Sequence, residues 1–115
     1  MGTNKDGNTT KSIVGRAATL SELIDYQEGS VVSKEIVRSG KGTVTLFAFD
    51  KGQGLSEHTA PFDALVYIVD GSAQIRISGK RSVVKKDQVI IMPANKPHAL
   101  TAAQKFKMLL VLIKA

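Results

Sequence analysis

The sequence predicts an all-β chain, a sandwich or closed barrel of short strands, and three observations carry that expectation. Beyond Gly29 the spacing of apolar residues changes from helical to alternating. The alternating segments are short, rich in Val, Ile, Thr and Phe, and punctuated by turns at Gly52, Gly54, Gly71 and Gly79. No fixed-period repeat and no long helix competes with that pattern.

Each element follows from local chemistry. Residues Met1 to Lys11 contain one apolar residue, the initiator, so they cannot bury enough surface to offset the entropy of ordering and are expected to be a mobile tail. Thr19-Leu20-Ser21-Glu22-Leu23-Ile24 predicts a short helical turn. Thr19 is its N-cap, Glu22 completes a capping box, and Leu20, Leu23 and Ile24 share one face. Gly29 ends it. Strands are then expected at Val31 to Val37, Gly42 to Phe49, Ala64 to Val69, Ala73 to Ser78, Val83-Val84, Val89 to Met92, His98 to Ala102 and Phe106 to Ile113. Turns fall at Asp50 to Gly54, Asp70-Gly71 and Gly79-Lys80. The segment from Phe106 to Ile113 is apolar enough for a helix, but its β-branched end in an all-β chain favours a buried strand. Ala64 to Val69 is apolar on both faces, so one face needs cover from a second sheet or a partner chain, and a homodimer is expected.

Composition limits the functions available. A chain of 115 residues, 43% of them apolar, has material for one core and one domain, expected over residues 12–115. With no cysteine, disulfides, thiolate metal sites and thiol nucleophiles are excluded. No secretory pattern opens the chain, and no uncharged apolar run reaches the roughly 18 residues of a membrane span, so a cytoplasmic protein without a membrane partner is expected. The net charge of +6 comes from basic residues scattered singly or in pairs, without interleaved aromatics. That distribution does not favour nucleic acid.

The two histidines, His58 and His98, fall within two spaced patterns. In the first, Gly52 precedes His58 by six positions, Ala60 and Ala64 follow, and Asp70-Gly71 closes the segment. In the second, Asp87 leads to Pro93, Asn95 and His98 within Met92-Pro93-Ala94-Asn95-Lys96-Pro97-His98. In order and spacing these resemble the two motifs of the cupin superfamily, the first built on Gly, His-x-His, Glu and Gly, the second on Gly, Pro-x-Gly and His. Asn95 and Asp87 then stand at glycine positions, which suits residues that tolerate a positive φ. The resemblance implies a cupin-type jelly-roll β-barrel with an internal pocket, commonly built as a homodimer.

Many cupins hold iron, manganese, zinc or nickel with three histidines and one glutamate. At two of those positions this chain has Ala60 and Ala64. Strict alternation along a strand turns Glu57 away from His58 and Asp63 away from Ala64, so neither carboxylate substitutes unless a bulge shifts the register. His58 and His98 are therefore the candidate site residues, for a ligand or for a divalent transition metal. Met92 and Tyr67 are candidate pocket residues beside them. Two functions follow. One is binding of a small molecule through the two imidazoles with an apolar barrel wall. The other is a metal-dependent dioxygenase, isomerase or lyase whose two-histidine site is completed by water or substrate. Gly52-Gln53-Gly54 is not a phosphate loop, because no helix follows it.

Overall fold

A computed structural model describes residues 12–114; the tail expected over Met1 to Lys11 lies outside them. The described residues form nine strands. These are β1 (Val31–Ser39), β2 (Gly42–Phe49), β3 (Gly54–His58), β4 (Asp63–Asp70), β5 (Ser72–Ile77), β6 (Lys80–Lys85), β7 (Val89–Met92), β8 (His98–Thr101) and β9 (Phe106–Ile113). They pair antiparallel in two sheets, β1-β2-β9-β4-β7 and β3-β8-β5-β6. This is the jelly-roll expected from the sequence, and the interior is where the two sheets meet.

Period-two alternation decides what faces inward. The five-stranded sheet contributes Phe49, Ala64, Val66, Ile68, Met92, Phe106 and Met108 to one buried cluster, and the other sheet adds Ala73, Ile75, Val84 and Leu100. Phe49 and Phe106 stack at 4.4 Å, each burial contributing on the order of 1.5–3 kcal/mol. The opposite face of the five-stranded sheet carries a second cluster of Leu46, Ala48 and Val69 with Tyr67 and Leu109. Its cover is the N-terminal segment, through Leu20, Leu23, Ile24 and Tyr26. Polar anchors hold the segment down: Tyr26 donates to Asp70 at 2.5 Å, and the buried Lys107 ammonium donates to the Ser21 carbonyl at 2.6 Å.

Several local expectations are corrected. The helical turn is a single 3-10 turn, Leu20–Glu22, and the Thr19 hydroxyl makes no capping bond, so the capping box does not form. The Glu22 N–H that the Thr19 hydroxyl would cap already donates to the Thr19 carbonyl at 3.0 Å, which closes the 3-10 turn instead. The tight turn after β5 is Ser78-Gly79, not Gly79-Lys80, with φ of 50° and 81°. Two positive φ values are what a two-residue hairpin needs to match the strand twist. Gly54, expected in a turn, already belongs to β3. A Cβ there would sit 2.4 Å from the Leu100 carbonyl oxygen, so the close approach of β3 to β8 requires glycine. The stand-ins for glycine behave as their chemistry predicts, Asp87 at φ 68° and Asn95 at φ 64°.

Candidate functional site

His58 ends β3 and His98 opens β8, and the two are paired across the four-stranded sheet. Along β8 and the residue after it, His98, Leu100 and Ala102 are buried in turn, so His98 faces inward by ordinary alternation. His58 arrives by a different route. Leu55 pairs with Leu100 and packs on the core, but His58, three residues later, pairs with His98, only two residues from Leu100. One extra residue is thus accommodated at Ser56-Glu57 as a β-bulge. Without it, counting by twos from Leu55 would turn Glu57 inward and His58 outward. The strict alternation assumed for this strand is therefore broken, and the break favours the imidazole. Glu57 stays exposed.

The rings meet edge to face, centroids 4.4 Å apart, with Nε2 of His98 3.2 Å from Nε2 of His58. His98 is buried and His58 is exposed, so the pair runs from the interior to solvent. Backbone carbonyls set both tautomers. Nδ1 of His58 lies 2.8 Å from the Ser56 oxygen inside the bulge, and Nδ1 of His98 lies 3.2 Å from the Lys96 oxygen. A carbonyl oxygen only accepts, so each Nδ1 must carry the hydrogen. In the neutral rings both Nε2 atoms then present lone pairs to each other. Such a contact is repulsive until a proton or another cation lies between them. Protonation of His98 itself is resisted, because burial and then the neighbouring His58 push its imidazole below its ordinary value, against a smaller opposing pull from the Lys96 carbonyl.

The loops around the pair are clipped together. Asn95 N–H donates to the Ala60 carbonyl at 2.7 Å, and Ala94 N–H donates to the Asp63 carboxylate at 2.9 Å. Asp63 is exposed and engaged in this clip instead of substituting for the missing ligand. Ala60 and Ala64 offer no donor atom, and among the described residues no three His, Cys, Asp or Glu side chains gather as a metal group. The four-donor cupin set is therefore not met by these residues; what they provide is one pair of facing imidazole nitrogens. Met92 lies opposite Ala64 on the inner face, buried in the barrel core. Tyr67 does not join the site. It lies on the other face of the sheet, with the outer cluster, and its hydroxyl donates to Asp87 at 2.6 Å. The bulge and the two carbonyls were not legible from residue types, because backbone atoms carry them.

Residues 45–114 match the cupin domain family. Among solved structures, a conserved protein of unknown function from Streptococcus pyogenes is 36% identical, with 87% of this chain and 88% of that one covered and a TM-score of 0.83. A cupin superfamily protein from Desulfitobacterium hafniense is 30% identical over 87% of this chain and 92% of its own, also at 0.83. A cupin 2 conserved barrel domain protein from Leptotrichia buccalis is 44% identical with a TM-score of 0.80; the match covers 83% of this chain but 46% of that longer one. No functionally curated protein matches. With the family match spanning more than half of the chain and two of these barrels sharing nearly its whole length, the chain belongs to the cupin superfamily.

Proposed function

We propose that this cupin binds an oxygen-rich or anionic small molecule at the mouth of the barrel, with His58 and His98 as its polar anchor and Met92 in the apolar wall. The supporting observation is the 3.2 Å approach of two Nε2 atoms whose tautomers are fixed by backbone carbonyls. Unprotonated, the pair accepts hydrogen bonds from hydroxyl groups; sharing one proton, it offers a positive charge to an acid. Removing one imidazole relieves the other of its partner but destroys the two-point anchor.

The same facing nitrogens favour a second reading, a metal-dependent cupin enzyme. Two imidazoles would hold iron, manganese, zinc or nickel, and water or a chelating substrate would complete the shell. A bound cation would supply Lewis-acid or oxygen chemistry. The chain's own part is to aim two Nε2 lone pairs at one point and to hold each Nδ1–H in a hydrogen bond donated to a backbone carbonyl.

Elemental analysis of untagged protein, beside His58→Ala and His98→Ala, separates the two. About one equivalent of transition metal, lost in both variants, supports the enzyme and sinks the metal-free site. Metal content unaffected by both changes, with small-molecule binding in a fragment screen that either change removes, supports the first reading.

We further propose a cytoplasmic homodimer. Val37, Val44, Val111, Leu65 and Ile91 stand in register across all five strands of one sheet, on its outer face beyond the N-terminal cover. Val37 and Ile91, at the two ends of this row, are 54% and 58% exposed, and a second copy related by a two-fold axis would cover both.

A further inference from the structure

The net positive charge of the strands is concentrated in one sheet. In β3, β8, β5 and β6 the charged residues are Arg76, Lys80, Arg81 and Lys85 against Glu57 alone. In the five-stranded sheet Lys34, Arg38 and Lys107 are balanced by Glu35, Asp63 and Asp70. Lys80 and Lys85 belong to β6, an edge strand, where cationic side chains deter pairing with other chains. That account does not extend to Arg76, which lies on β5, between β8 and β6.

Arg76 and Arg81 are directly opposite in the β5–β6 register, on the face turned away from the core, since Ile75 and Val84 point inward. Like charges so placed destabilise a sheet. Neither guanidinium has a carboxylate partner; among the described residues the one ion pair is Arg38 with Glu35. The two arginines line a recess of about 60 Å³ with Gln74, Ala99 and Thr101. By the roughly 10–15 Å³ that one water needs, this is room for about four to six waters. Ala99 pairs with Arg76 and Thr101 with Gln74, so the small alanine side chain leaves the floor open. The Gln74 carbonyl oxygen accepts from Arg81 at 3.4 Å, which leaves its amide N–H groups to donate. Around the recess stand two guanidiniums, an amide and a hydroxyl, and no anion.

We propose that this recess is a second binding site, for a phosphate dianion, free or as the phosphomonoester of a small metabolite. A tetrahedral oxyanion accepts forked hydrogen bonds from both guanidiniums and removes their mutual repulsion. The site is on the outer face of the sheet whose inner face carries His58 and His98, so it is separate from the imidazole pair.

The test is titration of the ¹⁵N-labelled protein with inorganic phosphate and, separately, glycerol 3-phosphate, at ionic strength matched with chloride. Saturable amide shifts confined to Gln74, Arg76, Arg81, Ala99 and Thr101 are expected, unchanged in His58→Ala. Arg76→Gln or Arg81→Gln should weaken binding at least ~10-fold, as loss of a charge-assisted hydrogen bond does. Lys85→Gln, which removes the same charge outside the recess, should weaken it less than ~3-fold. Tighter binding of glycerol 3-phosphate assigns the site to a monoester, and equal or weaker binding assigns it to the free ion. The proposal is overturned by shifts that chloride reproduces, by absence of saturation, or by Lys85→Gln weakening binding as much as Arg76→Gln.

Discussion

At the scale of single residues, side-chain chemistry was the readable part of the sequence and backbone chemistry was not. Asn95 could be matched to a glycine position because its short amide tolerates the left-handed region, and its φ of 64° bears that out. Asn95→Val should therefore cost about 1–2 kcal/mol in urea unfolding, whereas Asn95→Gly should stay within ~0.5 kcal/mol of the natural chain. A valine variant as stable as the natural chain would show that the loop adapts and that the positive φ is not required. The histidines could be picked out as a pair from their motif spacing. What orients them could not, since the acceptors of their Nδ1 hydrogens are the carbonyls of Ser56 and Lys96, which any residue type supplies. Tyr67 was misplaced although alternation speaks against it: three residues from Ala64, it falls on the opposite face of the strand, where the N-terminal segment packs over it.

At the scale of elements, the short five-residue β3 was harder to read than the longer strands, because Gly54 looks like a turn and the bulge erases its alternation. Gly54 fixes how closely β3 approaches β8, so Gly54→Ala should push the strands apart. We expect a loss of about 1–3 kcal/mol and faster amide exchange in β3 and β8 than in β9. Equal exchange in both sheets would place the damage elsewhere. The N-terminal segment offers a pH-dependent test. Burial, and then the hydrogen bond to Asp70, raise the Tyr26 phenol above its ordinary 10.0. The folded state thus prefers the neutral phenol. Its stabilising effect is complete below about pH 10 and is lost as the pH climbs beyond that value toward the raised one. Urea unfolding followed from neutral to alkaline pH should show this loss in the natural chain. Tyr26→Phe should be less stable by about 1–2 kcal/mol near neutrality and should lack that alkaline decline. A decline of equal size in the phenylalanine variant would assign it to other groups.

For the whole molecule, the all-β class and the barrel were legible because periodicity and turn spacing report on every strand at once. The order of strands within each sheet was not, since it depends on pairing between distant segments. Nor was the partition of charge between sheets, which emerges only when β3, β5, β6 and β8 are seen to be neighbours. The aliphatic row from Val37 to Ile91 likewise exists only in the assembled sheet. The double variant Val37→Lys/Ile91→Lys should halve the mass measured by light scattering while leaving the circular dichroism spectrum unchanged. A natural chain that is already monomeric at micromolar concentration would remove the basis for the dimer.

The bulge at Ser56-Glu57 also has an evolutionary reading. Because β3 carries one residue more than its partner strand accommodates, loss of a single codon there would leave His58 opposite His98. Retaining the codon while the strand straightens would instead bring Glu57 to that place. A descendant could thereby exchange an imidazole for a carboxylate opposite His98 with neither amino acid substituted, by inheriting a different fit between two strands.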